Sequence, residues 1–172
     1  MKKLLIIQFL LMALMSCVEQ PEDNSTRWFL LHRYDDFHER TDEKYITASG
    51  EGTFSNSATL NDYLFSTIDI DSDWIAIHLY KYGRVMADTK NKKVTLKIKG
   101  DDGTVVEDNT LYHFFDSKYN KEKTDSIFNI LLKGGNIKFH IKMEDNYSKF
   151  VDIYDFEFIN SSGLPSLIDS IR

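Results

Sequence analysis

The residues of this chain whose types could do chemistry are few and far apart. Asp69, Asp71 and Asp73, in the run DIDSDW, place three carboxylates at alternate positions, the spacing with which an oxygen-lined calcium loop begins. Such a loop also needs glycine at its sixth position and a carboxylate at its twelfth, and here those positions hold Trp74 and Tyr80. The three aspartates therefore read as solvated residues that end one strand and start the next, and no metal is expected. His32, His38, His78, His113 and His140 are scattered, without a second His or Cys at a ligand spacing. His140 also falls on the lysine-bearing face of an alternating segment. The chain contains no Gly-x-Ser-x-Gly elbow, no His-Glu-x-x-His and no phosphate-cradling loop. Lys133-Gly134-Gly135-Asn136 reads as a helix-to-strand turn, and 27 acidic residues single out no pair for glycoside hydrolysis. No catalytic residue and no cofactor is expected. The binding element that stands out is LYHFFDSKY, Leu111 to Tyr119, with Tyr112, Phe114 and Tyr119 as candidate ligand contacts, because rings beside polar groups can stack on sugar or grip a peptide edge. The competing reading is that its alternate residues pack into a core.

The chain's one cysteine is Cys17. Lys2 and Lys3 precede an apolar run from Leu4 to Met15, broken only by Gln8, which has the charged start and short greasy middle of a secretory signal. The run is too short to span a bilayer, which takes about 20 apolar residues. Its end, Leu14-Met15-Ser16-Cys17, resembles a bacterial lipobox, with Met15 standing where Ala, Ser or Thr is commoner. The resemblance implies a signal peptide over 1–16, cleavage before Cys17, and lipidation of that cysteine by diacylglycerol and an amide-linked acyl chain. Several chains anchor almost permanently, since each buried methylene contributes about 0.8 kcal/mol. A lone cysteine also suits attachment better than a disulfide framework, which needs an even number.

The polar stretch 17–26, with Pro21, reads as a lipidated flexible tether. Glu19, Glu22 and Asp23 resemble the acidic patch after the cysteine in surface-exported lipoproteins of Bacteroidetes-type bacteria. The expected location is the bacterial outer membrane, with the surface-facing and periplasm-facing alternatives open. The segments GEGTFSNSATLND, IHLYKYGR and LLKGGNIKFHI are similar to small Bacteroidetes lipoproteins of unknown function, a likeness that carries no chemical motif. Asp125-Ser126-Ile127 and Asp169-Ser170-Ile171 resemble the short acceptor of Bacteroidetes O-glycosylation. Removing Lys2 and Lys3 from 21 basic residues leaves 19 against 27 acidic ones, a formal charge of −8. Nucleic acid is therefore not an expected partner, since phosphate binding needs a basic stripe.

The elements that must position these residues are mostly strands. Aromatic residues are plentiful, Pro occurs twice, and residues 27–172 have the length of a single domain. WFLLHRY (28–34) reads as a first strand and DDFHERTDEK (35–44) as an exposed connection. A strand then runs through Gly50-Glu51-Gly52, where glycine in a strand marks a bulge or tight bend. LNDYLFSTIDI and DWIAIHLYKYG form two more. KVTLKIKGDDGTVVE is a hairpin about Asp102-Gly103. Ile127, Ile130 and Leu131 recur as on one helical face, predicting a helix over 124–132 capped by Thr124 or Asp125. NIKFHIKME is a strand with Ile137, Phe139, Ile141 and Met143 on one face. FVDIYDFEFI is the last strand, with a bulge expected between Ile153 and Phe156, and Pro165 opens a closing helical turn.

The sum is seven or eight strands with one or two short helices: a mainly β chain, folded as an antiparallel β-sandwich or open barrel. The alternative is an eight-stranded lipocalin-like barrel, which Thr26-Arg27-Trp28 loosely resembles at its start. The expected function is non-enzymatic: a lipid-anchored envelope domain that binds a protein or glycan partner or supports an envelope assembly. The alternatives are a carrier of an apolar ligand and an envelope immunity or inhibitor protein.

Overall fold

The computed structural model of the chain describes residues 24–110 and 114–171, with side chains described except at 110 and 114–120. Cys17 and Tyr112 lie outside the described residues. Among the described residues ten strands occur in order: β1 (Trp28–Tyr34), β2 (Arg40–Ser55), β3 (Asp62–Ile70), β4 (Trp74–Lys81), β5 (Val85–Met86), β6 (Lys92–Lys99), β7 (Val105–Thr110), β8 (Phe114–Asp116), β9 (Gly135–Asp145) and β10 (Val151–Ser161). Helix α1 (Ser117–Lys133) lies between β8 and β9, and α2 (Leu164–Ile168) follows β10.

All pairings are antiparallel, and the strands form one sheet in the order β5-β4-β3-β2-β10-β9-β6-β7. β1 also pairs with β2, and β8 with β4. The sheet is not closed, so the mainly β, open antiparallel architecture holds and the closed lipocalin-like barrel does not. The physical reason is pairing: β7 bonds only to β6, at one end of the sheet, while β8 bonds to β4 near the other, and no ladder joins β7 to β8 among the described residues.

Period-two alternation selects the buried face. Ile46 and Ala48 of β2, Leu64, Ile68 and Ile70 of β3, and Ile75, Ile77 and Leu79 of β4 point inward. They meet Val94, Leu96 and Ile98 of β6, the four apolar residues of β9, and Tyr154, Phe156 and Phe158 of β10. Phe139 stacks on Phe156 at 4.4 Å between ring centroids. Ile127, Ile130 and Leu131 of α1 and Leu164 and Ile168 of α2 join the same cluster. Trp28 is buried edge-on to Phe158, its Nε1 donating to Ser161 Oγ at 2.9 Å.

β2 holds the sheet together, because from Ile46 to Phe54 one edge pairs with β3 while the other is shared between β1 and β10. The handover falls at the glycines. A Cβ on Gly52 would sit 1.9 Å from the Asp155 carbonyl oxygen, and one on Gly50 2.8 Å from the Phe158 ring. Glycine there lets β10 lie close against β2, and the β2–β3 register runs unbroken through Gly50 and Gly52, so the glycines serve close approach and no bulge interrupts the ladder.

Several boundaries differ from expectation. Arg40–Lys44 belong to β2, because they pair with β1, and only 35–39 form the turn. The helix begins at Ser117 rather than Thr124, so Thr124 is a buried mid-helix residue and not a cap. It ends at Lys133, with Gly134 at φ 68°, as expected. β10 keeps one phase from Asp152 to Phe158; its irregularity lies later, between Phe158 and Ser161. Thr26, at the end of the expected tether, is already docked: its N–H donates to Ile159 O at 2.7 Å and its Oγ1 accepts from Ile159 N.

Candidate functional site

The inward phase of three strands, followed to one end of the sheet, leaves the apolar core and becomes charged. On β4, Ile75, Ile77 and Leu79 are followed by Lys81; on β6, Val94 is preceded by Lys92; on β10, Tyr154 is preceded by Asp152. Asp152 Oδ2 accepts from Lys81 Nζ at 2.8 Å and Lys92 Nζ at 2.7 Å, and the fully buried Tyr154 hydroxyl donates to the same oxygen at 3.4 Å. The three charged side chains are only 10–18% exposed. Lys81 Nζ also lies 5.0 Å from the Phe54 ring centroid and 5.8 Å from that of Tyr154, where the negative faces of the rings favour a cation.

Burial alone pushes the Asp152 carboxyl up, but hydrogen bonds and charge from Lys81 and Lys92 outweigh it and hold the group below the ordinary aspartate value. Burial first, and the Asp152 charge next, push the Tyr154 phenol up, so it stays a hydrogen-bond donor. Two lysines on one carboxylate, at the edge of an otherwise apolar interior, are more than packing requires. Buried ion pairs are often no more stabilising than apolar residues of equal volume.

Four connections surround this triad: 56–61, 82–84, 87–91 and 146–150. Thr59 Oγ1 and Tyr82 Oη are 3.5 Å apart, and Asn146 N donates to Asn91 O at 3.1 Å, so the loops support one another. Asn61, Tyr82, Asn91 and Lys149, four of the six non-glycine residues with positive φ among those described, stand on this rim. Asn tolerates that region, whereas Tyr and Lys enter it at a cost. At Tyr82 (φ 54°) the turn is closed by Arg84 N donating to Lys81 O, and the ring lies edge-on to Phe54 at 5.5 Å. Leu60, Tyr82, Val85, Met86, Tyr147 and Phe150 are all exposed around the same end. Within the rim, a cavity of about 310 Å³ is lined by Asn56, Ser57, Lys92, Asp145, Ser148, Phe150 and Asp152. A larger concavity, about 480 Å³, lies on the outer face over β2, β10, β9 and β6. Its side chains largely satisfy one another across the strands, with His140 Nδ1 2.7 Å from Asp155 and Lys138 3.8 Å from Glu157. The rim is therefore the better candidate.

No family model matches the chain, and no match is found among curated proteins or solved structures.

The residues singled out from sequence go elsewhere. Phe114 lies in β8 opposite Ala76, and Tyr119 lies in the first turn of α1. The three aspartates disperse. Asp69 accepts from Thr47 Oγ1 at 2.6 Å and faces His78 Nε2 at 3.3 Å, Asp71 binds Arg33 at 3.0 Å, and Asp73 accepts from Ser72 Oγ. Burial raises the Asp69 carboxyl, yet the bonds from His78 and Thr47 and the charges of His78 and Arg33 leave it lowered. The hydroxyl of Thr47 points to the carboxylate, not to the imidazole, so the relay order of a nucleophilic triad is absent there. His32 contacts Arg40 and Thr41 O, His38 sits in the β1–β2 turn, and His113 lies outside the described residues. Among the described residues no cluster of three or more potential ligands could hold a metal, and no helix is long and apolar enough to cross a membrane. Ser126 lies within α1, its hydroxyl donating to Glu122 O.

Sequence reasoning passed over Lys81, Lys92 and Asp152. The signal was present: in three strands the same alternating phase runs out of apolar residues into a charge.

Proposed function

We propose that this chain is a lipid-anchored domain of the bacterial cell envelope that binds a macromolecular partner through its open rim, acting by binding and not by turnover. The observation that carries the reading is the gathering of exposed Leu60, Tyr82, Val85, Met86, Tyr147 and Phe150 on neighbouring connections and the short β5 at one end of the sheet, above a buried ion triad. Exposed apolar side chains scattered singly need no explanation, but their concentration at one end does. Rings held on strained, mutually bonded turns bind at low entropic cost.

The lipobox-like Leu14-Met15-Ser16-Cys17 supports anchoring. Six residues, 18–23, separate Cys17 from Asn24, a reach of at most about 25 Å over the seven steps, so the domain is held near the headgroups. A carrier of apolar ligands is less well supported, because the interior is filled by the protein's own rings at Phe54, Phe139, Tyr154, Phe156 and Phe158. An inhibitor or immunity role is one form of partner binding and falls under the same test.

Affinity capture from solubilised envelopes compares the wild type with Cys17→Ala, Tyr82→Asn and Phe150→Ala. The expected result is a partner captured by the wild type, weakened roughly thirtyfold or more in the Tyr82→Asn, Phe150→Ala double variant, as for a central binding residue. Labelled palmitate should enter the wild type and not Cys17→Ala. Equal labelling of both would refute the anchor, and capture unchanged by the rim variants would refute the rim.

A further inference from the structure

We infer that the rim cavity takes a neutral sugar residue of a glycan, whose hydroxyls bond to Lys92, Asp152, Asn56 and Ser57 and whose apolar face lies on Phe150. This rests on the reading of the rim as the binding surface and adds the chemistry of what enters it.

Charge comes first. Lys81 and Lys92 are balanced by Asp152 and by Asp145, which stands in the cavity wall and is drawn below the ordinary aspartate value chiefly by the backbone N–H groups of Ser148 and Tyr147. An anion would meet two carboxylates and a cation would meet Lys92, so the cavity suits a ligand without net charge.

The second step is the supply of hydrogen-bonding groups. Lys92 has three N–H donors and uses one, on Asp152. Asp152 receives all three of its bonds on Oδ2, which leaves Oδ1 to accept. Asn56 accepts from Ala58 N and Thr59 N through Oδ1, leaving its amide N–H groups available, and among the described residues the Ser57 hydroxyl has no hydrogen-bond partner. A wholly apolar ligand would strip water from these groups and replace none of the bonds. A ligand dense in hydroxyls serves both kinds, since each hydroxyl donates once and accepts twice.

The third step is shape. A volume of about 310 Å³ lies at the small end of ligand sites. Phe150, 63% exposed, offers a ring at the mouth, suited to the C–H face of a pyranose, and the openness of the rim lets the remaining units of a chain leave toward solvent.

The test uses the lipidated protein in a detergent without a sugar headgroup. Probes are immobilised neutral oligosaccharides built from glucose, galactose, mannose and N-acetylhexosamines, with uronate-containing and sialylated counterparts and an envelope protein fraction. Neutral glycans should bind, with Phe150→Ala weakening them about tenfold, the effect of losing one ring contact, and Ser57→Ala weakening them severalfold. Both positions are exposed, so folding is retained and is checked by thermal melts. Binding confined to acidic glycans, no glycan binding, or binding indifferent to both variants would overturn the inference. Capture of a protein that is lost in Phe150→Ala, without glycan binding, would overturn the sugar and keep the rim; no capture sensitive to rim variants would overturn both.

Discussion

Asp152→Ala is the most informative single change, because it removes the one carboxylate that holds two lysines at the rim. In the wild type both ammonium groups lie within 2.8 Å of Asp152 Oδ2, and all three side chains are no more than 18% exposed. Removing one partner of a buried pair costs about 3–5 kcal/mol, since the remaining charge is left uncompensated. Here two like charges remain, but both can turn partway toward the rim cavity and water, so the lower figure, about 3 kcal/mol, is expected. For a domain of this size that lowers the melting temperature by roughly 6–12 °C, at about 2–4 °C per kcal/mol.

The assay is urea unfolding at neutral pH, repeated at intervals down to pH 3. The folded-state pKa of Asp152 is depressed. Its contribution is therefore complete above the unfolded value of about 3.9 and is lost as pH falls through the folded value. The stability gap between wild type and Asp152→Asn, which keeps the shape and removes the charge, should be constant from pH 7 to about 5 and close below about pH 4. Asp69 is depressed as well, so the gap between the two proteins, not the slope of either, is the quantity to read. A loss under about 1 kcal/mol for Asp152→Ala, or a gap that does not narrow in acid, would refute the claim that the triad is a buried electrostatic unit.

Other substitutions probe different links. Gly52→Ala places a Cβ 1.9 Å from the Asp155 carbonyl oxygen, so β10 must move away from β2; the loss should exceed about 3 kcal/mol, and a melting curve like that of the wild type would show that the strands do not lie so close. Trp28→Phe keeps most of the ring and deletes the 2.9 Å bond to Ser161, leaving a buried hydroxyl to find another partner; about 1–2 kcal/mol should be lost, and restoration of that loss by the further change Ser161→Ala would mark the bond as its source. Tyr82→Asn exchanges an unfavoured side chain at φ 54° for one that tolerates it, against the loss of the Phe54 edge contact, worth about 0.5–1.5 kcal/mol. The two nearly cancel, so thermal stability should stay within about 1 kcal/mol, and a larger fall would mean that the ring is a core residue and not a rim one.

Much of the fold was legible along the chain. β6, β9 and the 71–73 turn between β3 and β4 follow from strict alternation and short polar breaks, and α2 from Pro165. The errors share a cause. Arg40–Lys44 look like a loop because they are charged, yet they lie opposite β1, where a strand with one face in water can carry charges. Residues 117–123 lack a clear apolar stripe in sequence, which begins only at Ile127, Ile130 and Leu131, the residues by which the helix joins the core. The bulge expected between Ile153 and Phe156 is absent because Asp152 occupies an inward position where alternation predicts an apolar residue.

By itself the sequence determines what local chemistry can determine: the alternation that makes strands and the glycines that let two of them pair closely, while the charged-apolar-cysteine succession at its start carries the proposal of export and lipidation. It could not say which charges would meet. Lys81, Lys92 and Asp152 are separated by 11 and 60 residues, and only the pairing order of the sheet brings the ends of β4, β6 and β10 to one rim. An ion pair is a relation in space, and its neighbours are set by strand order, which alternation within any one strand does not encode.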